Sequence, residues 1–164
     1  MIAINDKKLQ SYITITKKDA SAIFEISKGK ISLSNSKSLP IQIKFPLVLD
    51  EDIAKISAML LDGSLNKNFY NIMFCQKKDK SKVEEFSKII GRLSGLKPRF
   101  IKFNNNAPGV VFNSKVLGIF LHKFLSMHKS DEAARIPKWI DHSPRPVILE
   151  YLRYVIFESF KSVT

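Results

Sequence analysis

Ile53-Ala54-Lys55-Ile56-Ser57-Ala58-Met59-Leu60-Leu61-Asp62-Gly63-Ser64-Leu65 is the stretch on which the reading of the fold turns. Three acids precede it, Asp50-Glu51-Asp52. Acids in a first turn complement the positive end of a helix dipole. Apolar residues then run from Ile53 to Leu61, and Gly63 follows as a stop signal. The spacing predicts a helix over 53–61. Ser57 and Ala58 lie one turn before Leu61 and Asp62, where small side chains let a second helix approach. Asp62 is the odd residue. A carboxylate at a helix C-terminus meets the negative end of the dipole. Either it hydrogen-bonds the turn before Gly63 or the position serves a function.

Downstream, Ser64 to Gln76 reads as β. In Tyr70 to Lys77, alternation puts Tyr70, Ile72 and Phe74 on one face and Asn71 and Lys77 on the other. Ser81 to Leu93 has Val83, Phe86, Ile89, Ile90 and Leu93 at helical spacing, closed by Gly95 and Pro98. Phe100–Phe103 and Val110–Phe112 read as strands joined by the loop Asn104 to Gly109. Lys102 and Asn104 share a face there, together with Phe100. A helix capped by Ser114 or Asn113 is expected from Lys115 to about Met127, and a last one from Pro144 or Pro146 to about Ser159. Upstream, residues 1–46 form a β-rich extension with runs at 12–15, 22–26, 30–33 and 41–45, and residues 47–164 form the main domain. The fold class is α+β.

The chain has 164 residues, 27 Lys+Arg against 15 Asp+Glu, and a net charge of +12. Residues 1–48 hold eight lysines and three acids, so the excess is spread along the chain and is no detachable tail. The 45% hydrophobic content excludes global disorder. No apolar run approaches the roughly 18 residues of a bilayer span, so no membrane partner is expected. Met1 to Gln10 lacks a secretory h-region, which points to an intracellular protein. A lone Cys75 excludes an intramolecular disulfide and a Cys-based zinc site. His122, His128 and His142 share no helical face, and no phosphate-cradling glycine loop is present. Trp139 reads as a core anchor beside Ile136 and Ile140. The charge therefore points to a polyanion, nucleic acid first.

Two segments carry a family resemblance. The helix ending Leu61-Asp62-Gly63-Ser64 is one. The other is Arg135-Ile136-Pro137-Lys138-Trp139-Ile140, then Ser143-Pro144, then Leu149-Glu150-Tyr151-Leu152-Arg153, closing at Ile156 to Val163. Together they resemble the LAGLIDADG (dodecapeptide) homing endonucleases over residues 47–164. The resemblance implies an αββαββα unit whose two motif helices pack face to face, with a basic β saddle over double-stranded DNA. It implies a metal site at Asp62 and Gly63 for Mg2+, with bound water as nucleophile. Glu158 is the nearest acid in the second motif. Expected DNA contacts are Lys67, Asn71, Lys77, Lys78, Arg99, Lys102, Asn104 and Asn113.

The second motif departs from the family. Phe160 stands where its metal-binding Asp belongs, Lys161 replaces the Gly, and Tyr154 and Val155 occupy a stretch that is usually small. Residues after Thr164 would be needed for a second sheet. The expectation is a DNA-binding protein of homing-endonuclease descent with cleavage impaired. Two alternatives stay open. One is an active site-specific endonuclease, with a second Asp62 supplied by a homodimer through the first motif helix or by a missing half. The other is a non-catalytic nucleic-acid or protein interaction module.

Overall fold

The β character of the first third resolves into short pieces in the computed structural model, which describes residues 11–163, with side chains from 11 to 157. β1 (Thr14–Ile15), β2 (Glu25–Ser27), β3 (Lys30–Ser32), β4 (Ile41–Gln42) and β5 (Leu47–Val48) are all antiparallel pieces. Between β1 and β2 lies an unforeseen helical turn, α1 (Lys17–Ala20). Its cause is a capping box. The Thr16 hydroxyl accepts from the Asp19 N–H, and the Asp19 carboxylate accepts from the Thr16 N–H at 2.8 Å.

β1 pairs with β5, Thr14 opposite Val48, across the expected boundary at residue 46. Phe24, Ile31, Ile41 and Ile43 join the same buried core as Ile56, Phe86 and Phe120. The N-terminal segment is thus packed onto the main unit through shared apolar surface, which is the dominant favourable term in such docking.

From residue 47 the order follows the sequence pattern. It runs α2 (Glu51–Met59), β6 (Ser64–Leu65), β7 (Asn71–Cys75), α3 (Lys80–Ser94), β8 (Arg99–Lys102), β9 (Pro108–Asn113), α4 (Lys115–Phe124), α5 (Lys138–Asp141) and α6 (Arg145–Val163). The main sheet has the order β6-β7-β9-β8 and is antiparallel throughout. Helix ends obey local chemistry. Asp50, Asp79 and Ser114 cap α2, α3 and α4, and Gly95 closes α3 in the left-handed conformation. Helices cover one sheet face and bury Leu65, Ile72, Phe74, Val110 and Phe112. No helix among the described residues is long and apolar enough to cross a membrane.

α2 and α6 form the most extensive contact between any two helices. Ala54 and Ala58, one turn apart on α2, are fully buried and let the backbones come close. On α6, Val147, Tyr151 and Tyr154 are buried. Lys55 reaches Glu150 at 3.5 Å, and Met59, one turn on, borders a cleft with Tyr154, one turn beyond Glu150. The two helices therefore run in the same direction. The Tyr154 ring is buried with the Lys82 ammonium 4.5 Å from its centroid, and its hydroxyl accepts from the Gln76 side-chain amide at 3.4 Å. Trp139 is the expected anchor. It is buried, and its indole N–H donates to the Leu125 carbonyl at 2.9 Å.

Candidate nucleic-acid interface

Residues directly opposite in an antiparallel ladder share a face, so the pairings define what the uncovered side of the main sheet presents. Asn71 stands opposite Asn113. Next comes a row across all four strands, Ser64, Met73, Val111 and Arg99. Beyond it lie Cys75, Gly109 and Ile101. The side is polar at one end and apolar in the middle. Val111 is 3% exposed although it lies on this side. Burial pushes the Cys75 thiol up from its ordinary value, so it is a poor nucleophile.

The structure sorts the expected DNA contacts into three groups. Asn71, Asn113 and Arg99 share the outer face, and Lys67 is exposed in the β6–β7 connection at the same end. Lys77 and Lys78, just past β7, and Asn104, just past β8, are exposed at the opposite end. Lys102 is separate. It pairs with Pro108 and lies with Phe100 and Val110 on the helix-covered face. Alternation around Phe100 already hinted at this. The row through Met73 and Val111 was not legible, because Val110, Val111 and Phe112 are all apolar and hide which face each takes.

The Asn71 end is tightly built. The Asn113 side-chain amide donates to the Asn71 side-chain oxygen at 2.5 Å. The Asn66 side chain accepts the N–H groups of Tyr70 and Asn71, at 2.8 and 3.1 Å, holding the turn before β7. Phe69 takes φ 65° in that turn. Its carbonyl oxygen packs so closely on α4 that a Cβ on Gly118 would sit 1.8 Å away.

Asp62 lies in the turn after α2, exposed, its N–H bonded to the Met59 carbonyl at 3.1 Å. Gly63 has a packing reason of its own, since a Cβ there would lie 2.5 Å from the Met73 carbonyl oxygen. The side chains of Glu158, Phe160 and Lys161 lie outside the described residues. Asp62 is the one described carboxylate that the resemblance assigns to the metal. No cluster of three or more His, Cys, Asp or Glu occurs among the described residues. Where the resemblance needs a second carboxylate, the sequence has the hydrocarbon ring of Phe160. Mg2+ requires oxygen ligands in near-octahedral geometry. On the expected homodimer through α2, every residue from 53 to 60 except Lys55 is buried. Pairing two α2 helices from two copies would thus require displacing α6.

No protein-family model matches the chain, and no curated protein matches it.

Proposed function

We propose that this chain binds double-stranded DNA across the outer face of the β6-β7-β9-β8 sheet, and that it descends from LAGLIDADG homing endonucleases with metal-dependent phosphodiester cleavage impaired. The observation that carries the reading is the sheet itself. Two hairpins build one antiparallel sheet of that order, backed by helices on one face and offering Asn71, Asn113 and Arg99 on the other. A two-stranded ribbon fits the major groove, where Asn suits adenine and Arg suits guanine. Lys67 and the net charge of +12 favour the phosphates. Impairment of cleavage follows from Phe160 and Lys161, since neither supplies a carboxylate.

The test is a titration of a random duplex library at low and moderate salt, followed by incubation with Mg2+. Salt-dependent retention of duplex without cleavage products is expected. Mg2+-dependent cutting that an Asp62→Ala variant abolishes would replace this reading with the active enzyme. Absence of duplex binding at low salt would remove it.

A further inference from the structure

Lys102 and Phe100 belong to no site described so far. Both lie on the helix-covered face, yet α3 packs over β7 and β9 and leaves β8 uncovered. Phe100 is 58% exposed in consequence. A cleft of about 560 Å³ opens between α3 and β8, floored by Val83 and Phe100 and rimmed by Lys80, Glu84 and Lys102. Among the described residues, neither Lys80 nor Lys102 is held in an ion pair.

β8 is also an edge strand. Its free backbone groups can be assigned. The Pro108 carbonyl accepts from the Gln76 N–H, on the side away from β8, and the Phe103 N–H donates to the Ala107 carbonyl. Bonded and non-bonded pairs alternate in an antiparallel ladder. Lys102, opposite Pro108, is therefore at a non-bonded position, and so is Phe100 two residues earlier. Both turn their N–H and C=O groups to the open edge, above the apolar cleft.

The charges on this edge select what can pair with it. A second copy of β8 along this edge would bring its own Arg99 and Lys102 to the same seam, and like charges brought together across strands are destabilising. Basic edge residues of this kind protect a sheet from its own copies. The complementary sequence is an acid, two apolar residues and an acid. The acids meet Arg99 and Lys102, and the apolar pair meets Phe100 and Ile101. We propose that β8 takes up an extended acidic peptide of this pattern as an added strand. The peptide bonds the backbone of Phe100 and Lys102, and one of its apolar side chains enters the cleft beside Phe100. The cleft and Lys102 lie on the sheet face opposite the proposed DNA face, with Arg99 alone common to both, and the proposal does not depend on that reading.

The test uses the full chain and a fluorescein-labelled peptide with the core Glu-Val-Phe-Glu between Thr-Ser flanks, followed by anisotropy and by amide chemical shifts. The expected result is binding in the micromolar range, shifts concentrated on Arg99 to Lys102, and a loss of about tenfold with Lys102→Glu. Phe100 is already exposed, so Phe100→Asn keeps the fold and is also expected to weaken binding. A Lys-Val-Phe-Lys control peptide is expected not to bind. Absence of binding up to about 1 mM peptide overturns the proposal. So do shifts centred elsewhere, or binding indifferent to Lys102→Glu. Displacement of the peptide by duplex DNA, with duplex affinity falling equally in Lys102→Glu, would also overturn it by assigning the edge to nucleic acid.

Discussion

The side-chain amide of Asn113 donates to that of Asn71 from the directly opposed position of the neighbouring strand. Each amide fixes the other, so the pair offers its remaining donors and acceptor in one orientation. In the proposed complex, Asn113→Ala is expected to cost about 1–3 kcal/mol against the preferred base and little against others. Arg99→Ala is expected to lower the slope of log K against log salt by about one. Lys102→Ala, on the other face, is expected to leave that slope unchanged. Duplex titrations at several salt concentrations separate the three.

Gly118 is predicted to be intolerant of any side chain. The Phe69 carbonyl occupies the space where Cβ would go. Relief would require moving either α4 or the Asn66-held turn, and overpacking of this kind costs about 1–3 kcal/mol or more. Gly118→Ala is expected to lower the melting temperature markedly. Because the same turn sets the position of Asn71, duplex affinity is expected to fall with it.

Lys55 ties three helices together. Its ammonium bonds Glu85 on α3 at 2.5 Å and lies 3.5 Å from Glu150 on α6. Partial burial works to lower its pKa, but the Glu85 hydrogen bond and the carboxylate charges of Glu85, Glu150 and Asp52 outweigh burial, and the pKa is raised above 10.5. A raised pKa stabilises the fold below the unfolded value, and the contribution is lost as pH climbs through the folded value. Stability attributable to Lys55 is thus expected across neutral pH and to fade only in strongly alkaline solution. Lys55→Met leaves Glu85 and Glu150 without their shared cation and is expected to cost about 1–2 kcal/mol near neutral pH. Urea unfolding measures it.

Glu132 gives the opposite sign. The Lys129 N–H, at 2.9 Å, does most to hold its carboxylate down to about 2. Burial opposes this, and His122 and Arg135 reinforce it. Stability from this group is present above the ordinary value of 4.5 and is lost as pH falls from there toward about 2. Solvent screens this group, so Glu132→Gln is expected to cost no more than about 0.5 kcal/mol at neutral pH and to flatten the acid limb of a stability–pH curve. A curve of unchanged shape would contradict the assignment.

Legibility in the sequence followed the range of the forces involved. The helical spacing of Val83 to Leu93 placed α3 within one residue at each end, because a single amphipathic face decides it. Ser114 marked the start of α4 by the same local logic. The turn inside Ser64 to Gln76 was missed. It depends on the Asn66 side chain and on the positive φ of Phe69, neither of which leaves a hydrophobic pattern. α1 carried a readable signature in Thr16 and Asp19, but four residues are too few for periodicity to show. The division of the candidate DNA contacts was hidden for another reason. Face assignment at β8 needs its register with β9, and Phe100, exposed at an edge, breaks the rule that apolar residues mark the buried side.

The pairing of β1 with β5 bears on how the chain can be cut. Ser34 to Lys37 and Leu39 form an exposed bridge between β3 and β4, with Leu39 at 80% exposure. A single tryptic nick after Lys37 would leave β1, β2 and β3 on one piece and β4 and β5 on the other. Both ladders, β1 with β5 and β3 with β4, span that nick, as does the apolar packing of Phe24 and Ile31. The N-terminal segment thus becomes a cassette. Once severed, it is held by noncovalent complementation alone and is exchangeable with a synthetic peptide of the same sequence.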